Sequence, residues 1–237
     1  MLKIGITERG DAALHLDEWL PKLDKVDGVI LISKNPATLL SNAARIPWEK
    51  CIVHCTITGW GGSPVEPGAP APDESLAAYK SLCERLGGER VVLRIDPIIP
   101  TPAGLELANS VRTHSLGRVR LSFLDLYKHT RQRLRDARER VLLEELVQIY
   151  TDDLHAPLHR RKSWAQSFGR GIEICGEPGM TCAGCVSLRD IQALGLTPPT
   201  EIDTSRQRKA CACLTMKTEL LTHRERCNHQ CLYCYWR

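Results

Sequence analysis

Six short runs of aliphatic residues, each followed by sequence of helical character, constrain the fold of this chain more than any other feature. They lie at about residues 2–8 (Leu-Lys-Ile-Gly-Ile-Thr-Glu), 28–34 (Gly-Val-Ile-Leu-Ile-Ser-Lys), 51–58, 91–97, 118–124 and 171–176. Apolar runs of this length, bounded by polar or glycine-rich sequence, read as buried strands. Strands alternating with helices build a parallel sheet joined by right-handed crossovers. The clearest intervening helix follows Asp73, an N-cap candidate. It repeats apolar groups at Leu76, Tyr79, Leu82, Cys83 and Leu86 before Gly87-Gly88 stops it. With 237 residues, 43% of them hydrophobic and 25% charged, the chain suits one α/β domain, and a barrel of this length is ordinary.

The strands carry a second pattern. Parallel strands covered on both sides are usually apolar on both faces, yet here one face turns polar towards the C-terminal end. Thr7 and Arg9 follow the first strand and Lys34 ends the second. His54, Thr56 and Thr58 share a face of the third, Arg94 and Asp96 of the fourth, Arg120 and Ser122 of the fifth, and Glu173, Cys175 and Glu177 of the sixth. Folds of this kind build active sites at the C-terminal ends of their strands. Lys34, Arg94, Asp96 and Glu177 are therefore the candidates for catalytic groups. The competing account is a set of buried ion pairs, Arg94 with Glu173 for instance.

Eleven cysteines are unevenly spread: Cys51, Cys55 and Cys83 lie in the first half and the other eight between Cys175 and Cys234. The N-terminus has no signal-peptide core and no run approaches a membrane span. The expected compartment is the reducing cytoplasm, where cysteines serve metals or catalysis. Cys227-Asn-His-Gln-Cys231-Leu-Tyr-Cys234 is a C-x3-C-x2-C run. Three thiolates on one short loop suit a [4Fe–4S] cluster with one iron left open; zinc, with four protein ligands in a structural site or three in a catalytic one, is the alternative. Cys182-Ala-Gly-Cys185 and Cys211-Ala-Cys213 point to a second metal site, iron–sulfur or zinc, with Cys175, Cys185, Cys211 and Cys213 as the best four. Cys51, Cys55 and Cys83 fall on apolar faces and read as core. The run Arg131–Arg140 reads as a solvated helix face. Arg206, Arg208, Lys209, Arg224 and Arg226, near the cysteines, read as offsetting thiolate charge.

Cys227-Asn-His229-Gln-Cys231-Leu-Tyr233-Cys234-Tyr235 resembles the cluster motif of radical SAM enzymes of the spore photoproduct lyase-like branch. Ile32-Ser-Lys34-Asn-Pro36 is similar to that branch's "TK" strand end. Thr56-Ile-Thr58 before Glu66-Pro-Gly-Ala-Pro70 is similar to its strand leading into an "EPG-x-P" loop, and Arg94-Ile-Asp96-Pro-Ile-Ile-Pro100 to its "PIIP" strand. In that superfamily the cysteine motif follows the first strand; here it comes last. That order, with Gln207-Arg208 before Cys211-x-Cys213 and the terminal Cys-Tyr, resembles the DUF1848 family over nearly the whole chain. The resemblance implies a circularly permuted partial (β/α)6 TIM-type barrel over residues 1–178, with a cysteine-rich segment over 179–237 packed on its mouth as part of the same domain. It implies a [4Fe–4S] cluster on Cys227, Cys231 and Cys234 whose open iron binds S-adenosylmethionine, with Thr7, Lys34, Thr56, Glu66 and Tyr233 around that cofactor. It further implies a 5′-deoxyadenosyl radical acting on an unknown substrate, and a reductant such as flavodoxin or ferredoxin. The lyases carry a hydrogen-donating cysteine where this chain has Ile6, so DNA photoproduct repair is not implied.

Two other classes fit the same residues. One is an iron–sulfur protein that leaves S-adenosylmethionine intact and serves electron transfer, sensing or Lewis-acid chemistry. The other is a zinc-stabilised nucleic-acid-binding protein. A formal net charge of +4 and 5% aromatic residues give that reading few stacking platforms beyond Trp60, Tyr235 and Trp236.

Overall fold

The structure is a computed structural model, and it describes residues 2–136, 138–205, 210–222 and 227–236. In chain order the strands are β1 (Ile4–Ile6), β2 (Gly28–Ser33), β3 (Cys51–Thr56), β4 (Val91–Ile98), β5 (Arg118–Phe123), β6 (Ile172–Ile174), β7 (Thr204–Ser205), β8 (Cys213–Leu214) and β9 (Lys217–Glu219). Seven of them form one parallel sheet in the order β6-β5-β4-β3-β2-β1-β9, and β7 and β8 form a small antiparallel pair. All six expected strands are present. The seventh, β9, is a Lys-Thr-Glu triplet that no apolar run betrays. It lies beside β1, with Ile4 opposite Lys217 and Ile6 opposite Glu219.

Period-two alternation sorts the sheet into two faces. Val29, Leu31, Val53, Leu93, Val119 and Leu121 point to one side with Cys51 and Cys55. Tyr79, Leu82 and Cys83 from helix Pro72–Leu86, and Ala108 and Val111 from helix Pro102–Thr113, cover them. The three early cysteines are thus core residues. Pro72 opens the first of these helices with its side-chain cap position empty of hydrogen bonds, so Asp73 sits in the first turn rather than at the N-cap. There its charge favours the positive end of the helix dipole. Gly87, at φ +81°, ends the helix in a conformation that suits glycine.

The opposite face carries Ile4, Ile6, Ile30, Ile32, Ile52 and Val92. Val186, Ile191 and Leu214, from the segment after β6, pack on it. Helix Leu188–Ala193 within that segment is fixed by a Ser187/Asp190 capping box. Arg118 Nη1, at the start of β5, donates to Asp190 at 2.7 Å and so anchors this segment, a plug on that face of the sheet, near the strands' N-terminal ends. The C-terminal ends stay open, and the candidate site lies there. Residues 179–237 are therefore more than a cover on the sheet, since they supply both this plug and strand β9. Among the described residues no helix is long and apolar enough to cross a membrane.

Candidate metal centre

A cavity of about 210 Å³ opens at the C-terminal ends of the strands. Cys227, Cys231 and Cys234 all line it, facing Lys34, Thr56, Arg94, Asp96 and Ser122 from successive strand ends. The cysteine loop is held from several sides. Leu232 N donates to Val65 O at 3.0 Å, and Gly68 N donates to His229 O at 3.0 Å. A Cβ on Gly68 would stand 2.0 Å from Asn228 O, so the two loops meet at backbone distance. Gln230 turns the loop at φ +52°, its N–H donating to Cys227 O at 3.2 Å. Cys231 and Tyr233 pack into a separate apolar cluster with Leu126, Leu134, Leu146 and Tyr150.

Two buried carboxylates anchor the loop further. His229 Nε2 lies 2.7 Å from Asp11 Oδ2 and its Nδ1 3.0 Å from Gly68 O. Asp11 also accepts from Ser33 Oγ and from the backbone N–H groups of Ala13 and Lys34. Burial pushes the Asp11 carboxyl up, but the hydrogen bond and charge of His229, together with hydrogen bonds from Ser33 and the Lys34 backbone, hold the group below its ordinary value. Glu66 Oε1 collects Lys34 Nζ at 3.0 Å, Thr58 Oγ1 at 2.5 Å and the Tyr233 hydroxyl. There too burial opposes ionisation, and the Lys34 ammonium keeps the carboxyl below its usual range. Burial pushes the Cys231 thiol up to about 11 against the pull of Lys34.

The residues expected from the sequence divide in two. Lys34, Thr56, Arg94 and Asp96 line the cavity with the three cysteines. Glu66 stands behind Lys34 and Tyr233. Thr7 is outside the lining, fully buried, its Oγ1 accepting from Ile32 N at 2.9 Å. Glu177 is also outside it, accepting from Phe123 N at 2.7 Å and from Arg161 Nη1 at 2.9 Å. The ion pairs differ from the one the sequence suggested. Arg94 pairs with Asp96, two residues along the same face, while Glu173 takes Arg118 and Arg120. Arg133 leaves the supposed solvated face: its Nε donates to Leu232 O at 2.8 Å and its guanidinium also reaches Cys234 O. Asp11 and Arg133 escaped the sequence reading because one looks like a turn residue and the other like one arginine among many.

The upstream cysteines converge in the packing between sheet and plug, and Cys175 also reaches the wall of the cavity. Cys175 Sγ lies 3.6 Å from Cys185 Sγ, and Cys185 N donates to Cys213 Sγ at 3.1 Å. Cys211 packs against the same cluster. Cys182 instead exchanges hydrogen bonds with the backbone of Glu177 and Met180. Hydrogen bonds from Cys175 and then Cys213 hold the Cys185 thiol well below its ordinary value. Among the described residues no three His, Cys, Asp or Glu side chains surround one point as they would a single bound ion. A cubane gives each thiolate its own iron and so does not require that geometry. Arg206, Gln207, Arg208, Lys209, Arg224 and Arg226 lie outside the described residues.

The fold and site define an α/β protein with a parallel sheet and a cysteine loop at the C-terminal ends of its strands. The model of the family described as domain of unknown function (DUF1848) matches residues 16–236, and the chain belongs to that family. No curated protein and no solved structure matches the chain.

Proposed function

We propose that this protein is a radical SAM-type iron–sulfur enzyme built on a circularly permuted partial barrel. The observation that carries the proposal is the position of β9. In the resembled superfamily the cysteine motif follows the first strand. Here it follows β9, the edge strand beside β1, so the spatial order would be kept while the chain order is rotated. Such a rotation is physically easy where the ends of a domain lie close together.

Cys227, Cys231 and Cys234 would hold the [4Fe–4S] cluster, and they fit it as three cysteines of one short loop facing one cavity. With S-adenosylmethionine and one electron from a reductant such as ferredoxin or flavodoxin, the bound cluster would supply a 5′-deoxyadenosyl radical able to abstract hydrogen from a substrate. The chain's own residues position and shield. Asp11 and Gly68 fix the imidazole between the first two cysteines, and Arg133 fixes the carbonyls around the third. Tyr235 and Trp236, whose rings lie 4.7 Å apart, border the cavity and limit water access. Lys34 holds a positive charge at a strand end, as a carboxylate-bearing cofactor requires. Arg94 and Asp96 offer the substrate a donor and an acceptor on one wall.

The test is anaerobic reconstitution followed by reductant and S-adenosylmethionine. Formation of 5′-deoxyadenosine is expected. A fully loaded cluster that yields none with several reductants overturns the proposal.

A further inference from the structure

We propose that Cys175, Cys185, Cys211 and Cys213 hold a second, thiolate-ligated metal centre that staples the plug segment to the inner face of the sheet. Two thiolates on one tetrahedral metal stand about 3.8 Å apart when metal–sulfur bonds are about 2.3 Å. Cys175 and Cys185, at 3.6 Å, already have that separation. The other two ligands come from a chain segment bound against this pair. Leu214 N donates to Val186 O at 3.0 Å, and Cys185 N points at Cys213 Sγ. A Cβ on Gly184 would lie 2.4 Å from Ala212 O and 2.6 Å from Cys213 Cα, so only glycine allows the C-x2-C and C-x-C segments to touch. Side-chain rotation of Cys211 and Cys213 completes the set, and metal binding displaces the thiol protons to solvent.

An independent observation marks the same place. Among the described residues, His54 Nδ1 and Nε2, Arg94 Nε and Arg120 Nη1 are buried without a hydrogen-bond partner. Arg94 Nε and Arg120 Nη1 are donors, and a neutral His54 adds one N–H beside one acceptor nitrogen. Orphaned buried donors are rare and costly, and several together call for a missing acceptor. His54, Arg94 and Arg120 all lie within electrostatic reach of Cys185. A centre with four thiolates carries net negative charge and presents sulfur acceptors to the Arg94 and Arg120 N–H groups and to the single N–H of a neutral His54. It also answers a structural need. Residues 179–187 have no regular structure, and β7 and β8 are only two residues each. Metal-binding free energy can supply the order that so few backbone hydrogen bonds do not. The centre does not depend on the radical SAM reading, because its ligands and those of the C-terminal loop are different cysteines.

Metal and acid-labile sulfide per chain, measured after anaerobic purification of the C227S/C231S/C234S variant, test the proposal. The variant is expected to retain about one zinc without sulfide, or about two or four irons with matching sulfide. Adding C185S and C213S should remove that complement. Zinc and iron–sulfur outcomes both support the centre and identify its metal. A folded triple variant without metal overturns it. Should the triple variant not fold, the wild-type protein decides. Metal beyond the about four irons of one cubane supports the second centre, and about four irons left unchanged by C185S/C213S overturn it. Wild-type protein holding only about one zinc, lost on C185S/C213S, keeps this centre and removes the cubane reading.

Discussion

Asp11 and His229 stand 218 positions apart in sequence, yet their side chains meet at 2.7 Å in the buried wall behind the cysteine loop. Substituting His229 by Ala leaves the Asp11 carboxylate buried without its cationic partner. Breaking such a pair costs about 3–5 kcal/mol. A Tm lowered by roughly 2–4 °C per kcal/mol is expected for a domain of this size. Iron content should fall with it, since the ring braces the loop between Cys227 and Cys231. Calorimetry and iron analysis of His229→Ala check both; unchanged values in both would show that the pair neither stabilises nor positions.

Gly68 touches the same loop by backbone alone. With Asn228 O 2.0 Å from where a Cβ would stand, Gly68→Ala must push the two loops apart. Backbone cannot yield as a flexible side chain would. The expected result is loss of most of the loop's iron while the circular dichroism of sheet and helices persists. Wild-type iron content in this variant would mean that the close approach of the loops does not matter.

Much of the sheet was legible because the strands before β7 are short segments rich in Val, Ile and Leu, with polar residues marking their C-terminal ends. Lys34, Thr56, Arg94 and Asp96 follow that pattern and line the cavity. Thr7 and Glu177 show the same pattern yet lie outside the cavity lining, because period-two alternation gives a face but not a depth along it. β9 was invisible: an edge strand of Lys-Thr-Glu, paired on one side, needs no apolar run. Asp11 and Arg133 could not be read either. Each acts on a loop about 100 residues or more away, and such contacts leave no local periodicity.

The Lys34–Glu66 pair should report on the site's internal charge. Both side chains are largely buried, and Glu66 also holds Thr58 and Tyr233. Lys34→Met strands the carboxylate and should destabilise by about 3–5 kcal/mol. The double variant Lys34→Met/Glu66→Gln removes both charges and should recover a good part of that loss. A double-mutant cycle of denaturant midpoints measures the coupling. Additive effects would refute a direct interaction.

The pH dependence of stability can be tested away from the cysteines, at His155 and Asp125. Nδ1 of His155 lies 2.6 Å from the Asp125 carboxylate, which raises the imidazole above its ordinary value; Glu177 assists and Arg161 opposes. A raised histidine contributes stability that is fully present below its unfolded value of about 6.5 and is lost as pH rises through the folded value. Asp125→Asn should therefore lower Tm most at about pH 5.5–6, with the gap narrowing towards alkaline pH. Melting curves that stay parallel across this range would remove the pair as a pH-dependent contributor.

Deletion of residues 227–237 separates the loop from the fold more sharply than any point change. It removes His229 and Tyr233, the partners of Asp11 and Glu66, but it also opens the site, so water can hydrate both carboxylates. The burial that makes His229→Ala costly is gone, and the penalty per carboxylate should be smaller. β9 ends at Glu219 and keeps its register with β1, so the seven-stranded sheet loses no strand. What disappears is the packing of Cys231 and Tyr233 on Leu126, Leu134 and Leu146, which leaves an apolar patch exposed. The expected protein folds cooperatively with near-native circular dichroism, associates more readily, and has lost about four irons per chain. A truncated protein that keeps its full iron would show that Cys227, Cys231 and Cys234 do not hold the cluster.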